Sequence, residues 1–362
     1  MLKRLVESHH RNPNYRHTVI SLTGIGTVGR QLQAIGCEVH ALGMRSVLDI
    51  PHVMLQLVRL IRTCRPDVVQ TWMYHADLLG GLAARIAGCN SVIWGIHSIN
   101  LAGSGARSTV WVRSLCAILS RWVPKIIVCV AEASRTRHIA LGYRADRMIV
   151  IPNGFNLANL QASESDVVAL RAACGFTTND VVVGSLGRFN YDKDQHNFVC
   201  AAGLLGLQYP QLRFLMVGRN CDANNQELMD WIATTGFAER FVVIGERSDA
   251  PVCLAAMDIF CLSSRSEAFP LVVGEAMALR RPCVITNVGD ATYLLGDCGV
   301  VVPKEDHEAL AAGVVQLLKL PASERAVLGK RAQARIAAEF SMDQARERFE
   351  LIYQKISRKE RT

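Results

Sequence analysis

The sequence predicts an α/β protein built from two doubly wound, Rossmann-like domains in tandem. Short β-branched runs alternate with longer helical patterns along all 362 residues. Those runs are continuously apolar, as the strands of a parallel sheet covered on both faces must be. At 362 residues the chain exceeds one ordinary core and suits two.

In the first half strands are expected at "HTVISL" (17–22), "CEVHAL" (37–42), "DVVQTW" (67–72), "SVIWGI" (91–96), "KIIVCV" (125–130) and "MIVIP" (148–152). The second half repeats the pattern at "VVVGSL" (181–186), "RFLMVG" (213–218), "FVVIG" (241–245), "IFCLS" (259–263), "PCVIT" (282–286) and "GVVVP" (299–303). Between them "IPNGFNLANLQASESD" places Pro, Asn and Gly in succession before a polar stretch, which marks a linker. The expected division is 1–155 for the first domain, 156–330 for the second and 331–362 for closing helices that pack back toward the first.

The opening "MLKRLVESHHRN" reads as a helix with Leu2, Leu5 and Val6 on one face. A doubly wound domain ordinarily begins with a strand and a phosphate-facing loop. The first βα unit is therefore expected to be absent, through truncation or a misplaced start codon.

Half of the residues are hydrophobic, and low-complexity runs are absent, which excludes disorder and repeat arrays. The 12 cysteines are scattered singly and no cleavable signal peptide precedes them, so they read as small buried residues in a reducing, cytoplasmic setting. No run reaches the roughly 18 apolar residues of a membrane span, which leaves peripheral contact as the expectation. The net charge is +8 and unevenly held: residues 1–155 contain 18 Lys plus Arg against 7 Asp plus Glu, the remainder 22 against 25. A basic first half suits an anionic partner such as a phospholipid surface or a phosphate-bearing substrate. Nucleic acid is excluded as a partner, because the arginines stand singly and no recognised binding module accompanies them.

In open α/β sheets ligands bind beyond the carboxyl ends of the strands. Two loops at that edge of the second domain carry charge. "GRFNYDKDQ" (187–195) brings Gly187, Arg188 and Lys193, and "SSRSEAFP" (263–270) brings Glu267, Ala268, Phe269 and Pro270. A helix is expected to start at Pro270 and to turn its free N–H groups and positive dipole end toward this cleft, which makes an anion site. Glu275 stands about 7.5 Å further along the axis. Arg265, which could pair with Glu267, is expected to be solvated. "GIGTVG" (24–29) imitates a dinucleotide fingerprint, but Glu38 stands at the start of the next strand, so these glycines read as a tight turn. "STVWVRSLCAILSRWVPK" (108–125) sets Trp111, Leu115, Ile118 and Trp122 on one helical face, with Arg113, Arg121 and Lys125 nearby. A core helix is the safer reading of that face and a membrane-surface helix the sharper one.

The pair Glu267 and Glu275 (E-x7-E), the "GR" with a following Lys, the "IPNG" hinge and the two similar halves resemble glycosyltransferase family 4. These are retaining nucleotide-sugar transferases of the GT-B fold, and phrases such as "SEAFPLVVGEAMA" are similar to the bacterial branch that builds O-antigen, capsule and exopolysaccharide. The resemblance implies that Arg188 and Lys193 neutralise the departing diphosphate and that Glu267 contacts donor-sugar hydroxyls, with Gly187, Ala268 and the N–H groups of Phe269 to Leu271 alongside. It further implies that Glu275 holds the ribose, that His97 from the first, acceptor-side domain meets the donor sugar, and that no metal and no cofactor beyond the nucleotide-sugar substrate is required. A UDP-sugar donor, a lipid-linked glycan acceptor and the inner face of the plasma membrane are the implied setting. Ala268 departs from the Gly common at that position. A non-catalytic nucleotide-sugar binder or scaffold, and an epimerase or hydrolase of the same fold, are the rival readings.

Overall fold

The computed structural model describes residues 1–10, 12–99 and 107–358. Each apolar run forms a strand, most of them trimmed at the ends. In the first half these are β1 (Thr18–Ser21), β2 (Glu38–Ala41), β3 (Val69–Gln70), β4 (Val92–Ile96), β5 (Ile126–Cys129) and β6 (Met148–Val150). In the second they are β7 (Val181–Leu186), β8 (Leu212–Val217), β9 (Phe241–Val243), β10 (Ile259–Leu262), β11 (Cys283–Thr286) and β12 (Gly299–Val302). Pairing between these strands is parallel throughout. The chain divides into one compact unit of Met1–Gly154 with Met342–Thr362 and another of Phe155–Ser341.

The second unit holds one six-stranded sheet in the order β12-β11-β10-β7-β8-β9. Its first strand, β7, is central, with the next two on one side and the last three on the other. β10 and β11 are buried at every residue, as continuous apolar runs require. Phe198, Ala202 and Leu205 of the helix Gln195–Gln208, and Leu310, Val314 and Leu317 of the helix His307–Lys319, join Val183, Phe214, Ile259 and Val284 in one core. At the switch point between β7 and β10 the connections leave in opposite directions, so a crevice opens above their carboxyl ends.

The first unit holds a four-stranded sheet, β3-β4-β5-β6, and a separate pair, β1-β2. The expected opening helix forms at Leu2–His9 and buries Leu5, Val6 and His9. The helix Met342–Arg358 lays Ala345, Phe349, Ile352 and Ile356 against Leu5, Ile93, Val128 and Ile151.

The boundary expected at Arg331 is corrected. The helix Ala322–Glu339 buries Gly329, Ala332 and Ile336, and Gln333 Nε2 donates to Ala278 O at 2.8 Å. It belongs to the second unit, and Phe340 and Ser341 separate it from the last helix. The return to the first unit begins only at Met342. The face on "STVWVRSLCAILSRWVPK" is corrected too: its helix ends at Leu119. Trp111, Leu115, Ile118 and Trp122 are 77%, 44%, 58% and 62% exposed, while Cys116 and Ala117 fill the core.

Candidate functional site

The site of the second unit is built from the loops that follow β7 and β10, one on each side of the switch point. Asn190 shapes the first: its side chain accepts from Lys193 N at 3.0 Å and closes the short turn Tyr191–Lys193. Lys193 Nζ then donates to Glu267 Oε1 at 2.5 Å, and Ser264 Oγ donates to the same oxygen at 2.8 Å. The two charged side chains are 24% and 14% exposed, so they attract one another more strongly than a fully solvated pair would. Arg188, on the same loop, is exposed, and Gly187 packs against the Lys193 stem.

Arg265 joins the two loops. Its amide donates to Asp192 O at 2.8 Å, its guanidinium meets Asp194 at 2.8 Å and Glu305 at 3.0 Å, and it lies 4.6 Å over the Tyr191 ring. The expectation of a solvated arginine is overturned, because four groups from two segments hold it. Asp194 is buried and caps the helix Gln195–Gln208 from a left-handed conformation, φ 49°. Burial pushes its carboxyl up and Arg265 pulls it down. Ser263 Oγ adds a bond to Lys193 O at 3.0 Å.

Two glycines let backbones approach. A Cβ on Gly289, at φ +52°, would stand 1.9 Å from Glu267 O, and the adjoining Asp290 N donates to Ala268 O at 3.0 Å. A Cβ on Gly218 would stand 2.0 Å from Gly187 O. Both hold a site segment from behind.

The helix after Glu267 runs Leu271–Ala278, with Pro270 as its N-cap rather than its first helical residue. Pro270 has no N–H, so of the three positions expected to offer one only Phe269 and Leu271 do. The Phe269 ring is buried against Phe155 and Phe340, with centroids 6.3 and 5.8 Å apart. Leu271 and Glu275 are partly accessible while the residues between them are buried. Four residues apart, they share one face of the helix. Gly187, Arg188, Lys193, Glu267, Ala268, Leu271 and Glu275 thus lie along the loop tips and helix face above β7 and β10. Cations and a helix amino end suit a phosphate, and the carboxylates suit hydroxyl donors.

His97 belongs to the first unit and stands directly after the last residue of β4. It packs on the Trp72 ring, with centroids 5.0 Å apart, and its buried Nε2 has no partner among the described residues. Burial, helped by the Met1 amine, lowers its pKa to about 4, so the imidazole is neutral at pH 7. Among the described residues no group of His, Cys, Asp or Glu gathers as a metal site would need.

The family model described as Glycosyl transferases group 1 matches residues 168–335, and that described as Glycosyltransferase Family 4 matches residues 3–159. The chain belongs to these glycosyltransferases. The glycosyltransferase is 25% identical over 245 residues to the Escherichia coli UDP-Gal:alpha-D-GlcNAc-diphosphoundecaprenol alpha-1,3-galactosyltransferase, a match spanning 67% of this chain and 63% of that one. It is 24% identical to the capsular polysaccharide biosynthesis glycosyltransferase CapM of Staphylococcus aureus over 91% of this chain and 88% of the relative. The crystal structure of Anabaena HepE in complex with UDP and glucose superposes with a TM-score of 0.84 at 22% identity, covering 98% of this chain and 95% of that one. The fold of the glycosyltransferase is GT-B.

Sequence reasoning missed Ser264, Asp194, Gly218 and Gly289, and misjudged Arg265. Only Asp194 left a local signal, an Asp directly before a helical pattern.

Proposed function

We propose that this glycosyltransferase moves a sugar from a UDP-sugar to a lipid-linked or growing cell-surface polysaccharide, with retention of anomeric configuration and without a metal. The observation that carries this reading is the Lys193–Glu267 pair at 2.5 Å, set at the switch point beside the amino end of the helix Leu271–Ala278. In the reaction the bond between the anomeric carbon and the diphosphate breaks, and negative charge grows on the leaving oxygen. Lys193, Arg188 and the free helix N–H groups oppose that charge most strongly when it is greatest, so they stabilise the transition state more than the bound donor. Glu267 and Glu275 accept hydrogen bonds from the sugar and ribose hydroxyls. His97 serves as a neutral imidazole toward the donor sugar. The donor class and acceptor class are supported by the names of the E. coli and S. aureus relatives and by the UDP complex of HepE; retention is supported by family resemblance.

Among the described residues no helix is long and apolar enough to cross a membrane. The exposed face of Trp111, Leu115, Ile118 and Trp122 supports peripheral attachment of the first unit to an anionic bilayer, where a lipid-linked acceptor resides. The cytoplasmic side of the plasma membrane is the proposed location.

The test is a thermal-shift panel with UDP, GDP, ADP and their sugars, then transfer with the stabilising donor in the presence of a chelator and assignment of the product anomer by NMR. A shift with UDP-sugars, chelator-resistant transfer and a retained anomer are expected. No shift with any nucleotide from folded protein would sink the donor assignment. The break between β1 and β3 favours a second reading, a nucleotide-sugar binder that transfers nothing; a donor-specific shift with no product from any lipid-linked glycan would favour it.

A further inference from the structure

The turn that carries His97 is held by neighbours that the proposed reaction does not use. Trp72 and Tyr74 flank Met73, whose backbone adopts φ 74° and ψ 161° just before the helix Tyr74–Ile86. A methionine is strained there, and such a conformation persists only where its surroundings fix it. Here they do: Met73 N donates to Gly95 O at 2.8 Å, Asp77 N donates to Met73 O at 2.9 Å, and buried Asp77 accepts from Thr71 Oγ1 at 2.5 Å. A Cβ on Gly95 would stand 2.7 Å from Thr71 O, so the turn after β3 lies hard against β4. That turn sends its two aromatic side chains to consecutive residues beyond β4. The Trp72 ring packs on His97 with centroids 5.0 Å apart, and Tyr74 Oη meets Ser98 Oγ at 2.7 Å.

Behind Tyr74 the hydrogen bonds have a direction. The Ser134 carbonyl can only accept, so His138 Nδ1, 2.7 Å away, carries a proton and donates it. Burial lowers the His138 pKa to about 4, which leaves Nε2 of the neutral ring as an acceptor. The Tyr74 hydroxyl therefore donates to His138 Nε2 at 2.8 Å. Its one proton is then engaged, and the Ser98 hydroxyl donates to Tyr74 Oη. Ser134 Oγ donates in turn to Ser98 O at 2.7 Å. Tyr74, Ser134 and His138 are buried, where a hydrogen bond is stronger than in water and a lost partner costs more. Ser98 is thus held by side chain and carbonyl from the connections after β3 and β5, the two neighbours of β4.

We propose that Tyr74 and His138 are positioning residues: through Ser98 they fix the turn after β4 and aim the His97 imidazole, and, on the reading of His97 as a group that meets the donor sugar, they thereby set the rate of transfer. Trp72 backs the imidazole from the other side of Met73. Tyr74 and His138 act on the reaction through His97 alone.

The experiment follows His97 by NMR in protein whose histidines carry carbon-13 at Cε1, beside initial rates with UDP-glucose, UDP-galactose and UDP-N-acetylglucosamine. The signal missing from His97→Ala is that of His97, and the Trp72 ring displaces it from the position of an exposed histidine. Tyr74→Phe keeps the ring and removes the hydroxyl; Ser98→Ala leaves the Tyr74–His138 bond intact. In both, the displacement of the His97 signal is expected to shrink while the His9 and His17 signals stay in place. In both, kcat is expected to fall by about tenfold or more, with the donor KM and the Tm little changed. The double variant is expected to be no slower than the slower single one, because both changes cut the same chain. An unmoved His97 signal in folded Ser98→Ala would overturn the proposal whether or not Tyr74→Phe folds, and so would losses in kcat that multiply in the double variant. Parent-like transfer by His97→Ala would overturn the reading of His97 and with it the role in transfer, a failure told apart by a His97 signal that still moves.

Discussion

At the scale of single residues, the site separates groups proposed to act on a ligand from groups that hold them. Lys193→Ala removes one proposed diphosphate cation and the partner of Glu267, and transfer is expected to fall by about 10²–10³ in kcat. Because the site lies at the loop tips, the Tm is expected to stay within a few degrees of the parent. Initial rates with a labelled UDP-sugar decide this, and a rate within a few-fold of the parent would remove Lys193 from the mechanism. Gly289→Ala acts differently. Its Cβ would collide with Glu267 O at a φ of +52°, so the loop must move. The expected cost exceeds about 1 kcal/mol in a urea melt, with a larger loss of transfer than of nucleotide binding. The proposed actors could be named from the sequence, since Arg188, Lys193, Glu267 and Glu275 sit within short motifs after apolar strands. The supports could not: Gly289 meets Glu267, and Arg265 meets Glu305, only after β10, β11 and β12 align. No spacing in the chain announces such contacts.

At the scale of elements, each of the twelve strands was legible, because parallel strands buried on both faces leave unbroken apolar runs. Helix ends were less so. Pro270 tolerates both the N-cap and the first helical position, and periodicity runs through the break at Phe340 and Ser341 without interruption. Burial of an amphipathic face was least legible, since a stripe of Trp, Leu and Ile looks the same whether it meets protein or lipid. In the helix Arg107–Leu119 and the turn after it, the opposite side fills the core and the stripe is exposed. Trp111→Ser with Trp122→Ser is therefore expected to abolish co-sedimentation with vesicles containing phosphatidylglycerol. It should leave Tm and UDP-induced stabilisation unchanged, because neither ring supports the core. Undiminished vesicle binding by the double variant would exclude this face as the anchor.

At the scale of the whole molecule, charge and titration are divided between the units. The basic excess lies in residues 1–155, and so do four buried or half-buried histidines whose pKa values are depressed to about 4: His9, His17, His97 and His138. Burial is the largest cause in each; Arg346 adds to it for His9, His9 for His17 and the Met1 amine for His97, while at His138 the Ser134 carbonyl opposes it. An unfolded histidine titrates near 6.5. Between about 6.5 and 4 the unfolded chain therefore binds more protons than the native one, so native stability is intact above 6.5, falls as the pH drops through this window and levels off below it. The steepest loss is about 1.4 kcal/mol per histidine per pH unit, and less for His9 and His17, which share one hydrogen bond at 2.8 Å. Hydrogen exchange read by mass spectrometry, corrected for the intrinsic pH dependence of exchange, is expected to show peptides of the first unit losing protection between pH 6.5 and 4 while those of Phe155–Ser341 retain theirs. Replacement of His138 by Gln should flatten this loss, at a cost at pH 8 set by the lost ring packing against Tyr74 and Tyr143 and by the hydrogen bonds to Tyr74 and Ser134. Simultaneous loss in both units, or a His138→Gln profile parallel to the parent's, would place the acid sensitivity elsewhere.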